Sequence, residues 1–481
     1  MTKPAILFLI LFLPVVLIAQ NTLVEPVRPI VLRNVNLIDM RSDSVSPKMT
    51  ILVSGGRIVK IGKSVTAPKD AQIVDATGKF LIPGLWDNYT FTLEAEKHGA
   101  PFFELLLAHG VTGVRDVGTS MDLVDAAKLR ADINAGRVIG PRLFYAGTVL
   151  QGEMPPRRSN RWSEISTVVK TAEEARAAVE KLADAGVDHI KVEKRTRPEI
   201  LREIIRTAHE YKLPVVAVPP SFVMDASNDG LDCIEHFAEF FRETSDKRSE
   251  YYALYREHKI DSMTRDENYA FFDTMKTDEL YYKETVRTMV RNQTFVATNA
   301  AQTFTFIGDF ELNDSSRRRF KTKKQLADLQ AAIAERERQI RTHDYRMSDE
   351  NRKRHFREIV DLNTAGIPLL AGTQSSYDSD SVGTPGAILH DELAIFVLAG
   401  LSPFEALKTV TVNPAAFMHR EKDLGTIEVG KLADLVLLDA NPFANIANTR
   451  KINAVVVNGR YLSRDQLNSM LSDIEAKAKN Q

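Results

Sequence analysis

Hydrophobic and polar positions change rhythm along the chain. Behind Lys3 an unbroken apolar run extends from Ala5 to Ala19 and stops at Gln20-Asn21-Thr22. From Pro29 to about Leu81 short apolar stretches (Ile30-Val31-Leu32, Thr50-Ile51-Leu52-Val53, Arg57-Ile58-Val59-Lys60-Ile61, Ile73-Val74-Asp75) are separated by turn signals such as Ser54-Gly55-Gly56. This texture predicts antiparallel hairpins. It returns at Ala433-Asp434-Leu435-Val436-Leu437-Leu438 and Ala454-Val455-Val456-Val457, so one small β-sandwich domain is expected from both chain ends.

Between these ends, strand-like and helix-like segments alternate. Strands are predicted at Ile82–Phe91, Val111–Asp116, Arg142–Ala146, His189–Val192, Val215–Val218, Cys233–His236, Thr294–Ala297 and Leu369–Ala371. The helix before His189 is marked by a capping box at Thr171 and Glu174, by Ala178, Val179, Leu182 and Ala183 on one face, and by Gly186 at its end. Eight strands alternating with helices predict an α/β fold, a (β/α)8 TIM barrel whose chemistry sits at the C-terminal strand ends. The expected organisation is a signal peptide at 1–19, the β-sandwich at 22–81 and 422–463, the barrel at 82–421, and a C-terminal helix or tail at 464–481. Helical excursions are expected at 239–292 and 307–361, over the barrel mouth.

Composition narrows the partners. With 63 Lys plus Arg against 64 Asp plus Glu the net charge is −1, which gives nothing to pull the chain onto nucleic acid or an anionic surface. A small-molecule ligand is expected, and oligomeric state is left open. The apolar run of Ala5–Ala19 is shorter than the ~20 residues that span a bilayer and has the form of a secretory signal. The reading is a secreted or periplasmic protein with no membrane span after signal removal; an N-terminal membrane anchor is the alternative. A single cysteine, Cys233, leaves no intramolecular disulfide to stabilise an exported chain, so the core must do so alone.

The segments Phe80-Leu81-Ile82-Pro83-Gly84-Leu85-Trp86-Asp87, Gly186-Val187-Asp188-His189-Ile190-Lys191, Ile234-Glu235-His236, Leu370-Ala371-Gly372-Thr373, Asn413-Pro414-Ala415 and Gly425-Thr426-Ile427-Glu428-Val429-Gly430 resemble, in order, the imidazolonepropionase- and prolidase-like branch of the amidohydrolase superfamily. The resemblance implies a barrel holding one or two divalent metals that lower the pKa of a bound water. It also implies a ligand set, and four of its six positions differ here. The His-x-His of the first strand is replaced by Tyr89-Thr90-Phe91. The fifth-strand histidine aligns with Val218, and the eighth-strand aspartate, the family's proton carrier, with Gln374. A phenyl ring offers no lone pair, and an amide cannot take up and return a proton near neutral pH. Lys191 aligns with the lysine carboxylated in binuclear members, and His236 with the sixth-strand histidine. Read without the resemblance, Lys191 is an ordinary strand-end lysine with its head in solvent.

The expectation is an exported, catalytically degenerate member, a metal-free pseudoenzyme. Its pocket, made by Tyr89, Phe91, Lys191, Val218, His236 and Gln374, binds a small ligand or partner, and no cofactor is expected. One alternative is an active hydrolase of non-peptide C–N bonds or small peptides, with one divalent metal such as zinc in a site rebuilt from Lys191, His236, Glu193 and Asp116. Another is a scaffold or partner of an active paralogue.

Overall fold

The computed structural model describes residues 28–99, 101–152, 163–219, 222–257, 259, 263–301, 318–343, 349–376 and 383–480. The expected signal peptide lies outside them. Among the described residues no helix is long and apolar enough to cross a membrane.

Both chain ends meet in one eight-stranded sheet. Its N-terminal strands are β1 (Ile30–Leu37), β2 (Ser46–Ser54), β3 (Arg57–Gly62), β4 (Gln72–Asp75) and β5 (Phe80–Pro83). The parallel core strands follow as β6 (Leu85–Thr90), β7 (Val111–Asp116), β8 (Arg142–Tyr145), β9 (Val149–Gln151), β10 (Ser166–Val168), β11 (Ile190–Val192), β12 (Val215–Ala217), β13 (Cys233–Glu235), β14 (Phe295–Ala297) and β15 (Leu369–Leu370). The chain returns to the first sheet through β16 (Leu435–Leu438), β17 (Ile452–Val457) and β18 (Arg460–Ser463). The order β18-β17-β16-β5-β1-β2-β3, with β4 on β1, joins the termini where β16 runs antiparallel to β5. Alternation produces this sheet's core: Leu32, Ile51 and Val53 from one end pack with Leu435, Leu437 and Val456 from the other.

The central strands form two parallel sheets, β6-β7-β8 and β10-β9-β11-β12-β13-β14-β15, and intervening helices cover them, a TIM-barrel-like mixed α/β arrangement. The sheets approach each other where the segment after β15 runs along β6. There Asn88 N–H donates to Ala371 O at 3.0 Å and Gln374 N–H to Tyr89 O at 2.8 Å, and Phe91 N–H donates to Ser375 O at 3.0 Å.

The expected single strand Ile82–Phe91 is in fact two. It breaks at Gly84, between β5 of the terminal sheet and β6 of the core. Gly84 lies so close to Thr112 that an added Cβ would stand 1.9 Å from its Oγ1, so only glycine lets the chain change sheets here. The third expected strand, Arg142–Ala146, is found as β8, and after Gly147 at φ +75° the chain enters β9, which the sequence reading did not place. Helices Phe237–Glu243, Arg248–Arg256, Arg265–Asp273 and Glu279–Asn292 follow β13, and Lys323–His343 and Asp349–Thr364 precede β15. The C-terminal helix is Arg464–Asn480.

Candidate functional site

Strand periodicity sets which side chains can meet inside the core. In β7, Gly113 and Arg115 share a face, and in β13 so do Cys233 and Glu235. Gly113 leaves room for the Trp86 ring, which an added Cβ would meet at 2.2 Å. Two positions further on, the fully buried Arg115 donates from Nη1 to Glu235 Oε1 at 2.8 Å. The other Glu235 oxygen forms an ion pair with the Lys191 ammonium from β11. Lys191 Nζ also lies 3.2 Å from Glu193 Oε1. Strands β7, β11 and β13 are thus tied together by charge.

The expected solvent-facing Lys191 is corrected by this geometry, since its relative exposure is 0%. Burial alone would lower its pKa, but Glu235 and Glu193 outweigh that and raise it. Burial likewise pushes the Glu235 carboxyl up, and Lys191 and Arg115 together hold it below its ordinary value. The ammonium also lies 5.7 Å from the centroid of the Tyr89 ring, within reach of a cation–π contact. His189, one turn of the pleat below Lys191, stacks on Phe144 at 5.3 Å with rings nearly parallel. Its two ring nitrogens are buried without a hydrogen-bond partner. Burial, helped by Arg115 and Lys191, drives its pKa well below the usual value, so the imidazole is neutral.

Above this network, Tyr89 and Phe91 are buried and pack edge to face at 5.8 Å. They form an apolar cluster with Val117, Val149 and Ile165. Tyr89 also meets the His236 ring at 5.3 Å. Val218 is buried and holds the chain to β11 through Val218 N–H to Val192 O at 3.1 Å. His236, Asn299 and Gln374, which follow β13, β14 and β15, all have positive φ (65°, 50° and 56°). Non-glycine residues rarely adopt that conformation, and when held there they concentrate at sites.

Asp116 does not join Lys191 and His236. Its carboxylate accepts Leu93 N–H at 2.8 Å and Gly118 N–H at 3.2 Å, anchoring the helix Thr92–Lys97 to β7. Burial raises its pKa to about 7. Asp87 is also buried and raised to about 7, against hydrogen bonds from Thr373 Oγ1 (2.5 Å), Thr373 N (3.0 Å) and Tyr89 N (3.3 Å). That contact joins two of the quoted motifs, Leu-Trp-Asp and Ala-Gly-Thr, across the first and last core strands. His390 is held between Thr449 Oγ1 and the His109 carbonyl at 2.9 and 3.0 Å, which is a structural role. Among the described residues, no group of three or more His, Cys, Asp or Glu is arranged to hold a metal ion.

Arg115 and Glu235 were missed as site residues by sequence reasoning. A charged residue inside an otherwise apolar strand was the available signal, because burial forces such a group to find a partner.

A model of the Amidohydrolase family matches residues 95–462. An imidazolonepropionase from Geobacillus sp. is 44% identical over 64 residues, 13% of this chain and 15% of that protein. Another, from Pyrobaculum arsenaticum, is 41% identical over 81 residues, 17% and 19% of the two chains. The chain thus matches less than a fifth of the length of these curated relatives. The solved structure of a putative prolidase from Bifidobacterium longum shares the fold at a TM-score of 0.64 and 23% identity, over 93% of this chain and 99% of that one.

Proposed function

The chain belongs to the amidohydrolase family, and from that premise we propose that it is an exported member that binds a small ligand or partner without metal-assisted hydrolysis. The observation that carries this reading is the position of Lys191. An amine must be neutral to take up carbon dioxide as a carbamate, and this ammonium is buried between Glu235 and Glu193, which keep it protonated. A carbamate there would set a third negative charge beside two carboxylates. The other family positions do not suit a divalent ion either. Tyr89 and Phe91 put aromatic rings where imidazoles would stand, Val218 has no donor, and Gln374 has only a neutral amide. Lys191 and Arg115 supply the positive charge that Glu235 requires.

The same reading makes the two parallel sheets a closed (β/α)8 barrel across residues 82–421, supported by the hydrogen bonds between β6 and the segment after β15. It makes 22–81 with 422–463 a β-sandwich domain and 1–19 a cleaved secretory signal. N-terminal sequencing of the exported protein tests the last point.

The test of the main reading is metal content by elemental mass spectrometry. Protein is purified without chelator and re-exposed to zinc and manganese, beside a variant combining Tyr89→His, Phe91→His, Val218→His and Gln374→Asp. The expected outcome is a near-zero metal-to-protein ratio in the parent and uptake in the variant. One tightly held metal per parent chain overturns the reading. It would direct assays to C–N bond hydrolysis, starting with Xaa-Pro dipeptides in view of the fold shared with a Xaa-Pro dipeptidase at 20% identity.

A further inference from the structure

A cavity of about 360 Å3 lies between the start of the helix Leu123–Asn134, the last turn of the helix Ala172–Asp184 and strands β9 and β10. In β9, Val149 packs with Tyr89 and Phe91, so the pleat turns Leu150 to the opposite face, where it lines this cavity. The cavity is therefore separate from the Lys191 network, and nothing about it rests on the metal-free reading. Leu150 and Leu182, both buried, and half-buried Leu123 form an apolar wall. Val124, also in the lining, is 76% exposed. Two charges of opposite sign complete the rim, Asp122 and Lys181. Asp122 Oδ1 caps its helix by accepting Val124 N–H at 2.8 Å. Neither charge forms an ion pair with another described residue. Glu180, beside Lys181 in the chain, pairs with Arg176 at 3.0 Å, and Asp184, three residues on, has no ion pair among the described residues. The Thr148 and Thr167 hydroxyls, also in the lining, hydrogen-bond to each other at 3.0 Å. One proton makes that bond, so the pair keeps a second one to donate.

We propose that this cavity binds a free α-amino acid with a large apolar side chain. Its ammonium is met by Asp122, its carboxylate by Lys181 and the spare threonine proton, and its side chain lies on Leu123, Leu150 and Leu182. The volume falls at the lower end of the roughly 300–1,000 Å3 of small-molecule sites, which combine apolar walls with a few polar groups. A ligand carrying only an ammonium would be repelled by Lys181, and one carrying only a carboxylate by Asp122. A wholly apolar ligand would leave the threonine proton without an acceptor. An apolar side chain laid beside Val124 also takes exposed hydrocarbon out of water. The occupant bears on the barrel through β9. Leu150 O accepts Glu193 N–H at 2.9 Å, and Glu193 is the residue whose carboxylate stands 3.2 Å from the Lys191 ammonium.

The experiment is isothermal titration of the full chain with L-phenylalanine, with 2-phenylethylamine and 3-phenylpropanoate as counterparts that lack the carboxylate and the ammonium. L-Phenylalanine is expected to bind about five times more tightly than either, or better. Asp122 and Lys181 are both exposed, so neither substitution opens the core, and asparagine caps a helix as well as aspartate does. Asp122→Asn and Lys181→Gln are each expected to raise the dissociation constant of L-phenylalanine about threefold, the scale of one charge contact open to water. Asp122→Asn is expected to leave 3-phenylpropanoate no weaker, and Lys181→Gln to leave 2-phenylethylamine no weaker. Absence of L-phenylalanine binding, equal binding of either counterpart, or binding unchanged by either variant overturns the proposal; the last outcome would place the ligand elsewhere on the chain.

Discussion

Replacing Lys191 by methionine removes a charge from the centre of the core while leaving a side chain of similar length. Glu235 then keeps Arg115 at 2.8 Å but loses its ion pair with the ammonium, and Glu193 loses its partner at 3.2 Å. Removing one partner of a buried pair costs about 3–5 kcal/mol, because the other charge stays behind uncompensated. Arg115 still serves Glu235, so Lys191→Met is expected at the low end, about 3 kcal/mol. Glu235→Gln takes the shared carboxylate from two buried cations and is expected at about 5 kcal/mol. Against a total of about 5–15 kcal/mol for a folded domain, that second loss approaches the limit of stability. The double variant removes an interacting pair, so its loss is expected to fall short of the sum by roughly 2 kcal/mol. Urea-induced unfolding at pH 7, followed by circular dichroism with chelator and again with zinc, measures all three. A Lys191→Met variant within about 0.5 kcal/mol of the parent would refute the network, since that is the scatter of an ordinary surface change. So would zinc that stabilises the parent and not the variant, because Lys191 would then be acting through a metal.

The carboxyls of Asp87 and Asp116, raised by burial from 3.8 to about 7, stay protonated in the folded protein where the unfolded chain has released its protons. Stability is therefore expected to fall as pH rises from about 4 to about 7. Asp116→Asn should flatten that slope by up to about 1.4 kcal/mol per pH unit, and an unchanged slope in urea titrations at pH 5 and pH 8 would contradict the assignment. Glu235 has the opposite sign: its lowered pKa stabilises above 4.5, and the gain disappears as pH falls through the folded value. At the alkaline end, the raised pKa of Lys191 stabilises below 10.5 and that gain is lost above it. Gly372→Ala would put a Cβ 2.7 Å from Tyr89 Cβ and 2.9 Å from Tyr89 N. About 1–3 kcal/mol should be lost in thermal unfolding; no loss would mean the last core strand does not press on the first as described.

Local signals in the chain carried the core strands because each is an apolar run between turn residues. Their boundaries were less legible. Ile82–Phe91 reads as one strand, since both halves are apolar, and Pro83-Gly84 shows as a break only when Thr112 stands against Gly84. The site was legible by residue type. That Tyr89, Phe91, Val218 and Gln374 bring little or no metal-binding chemistry follows from their functional groups wherever the fold puts them. Lys191 was misread because a strand-end lysine in isolation has its best solvation in water. Its burial depends on two carboxylates, one of them on another strand.

The sequence by itself determined the alternation of strands and helices, the order of the family motifs and the donor atoms available at each position. These are properties of single residues and of their spacing. Tertiary structure alone decided that Arg115, Lys191 and Glu235, on three strands, converge on one buried charge network, and that Asp116 anchors a helix instead of joining them. The physical reason is that the two-residue period of a strand determines which face a side chain takes. Which strands lie opposite is set by chain folding, and only that brings the charges within the few ångströms where they can replace water for one another.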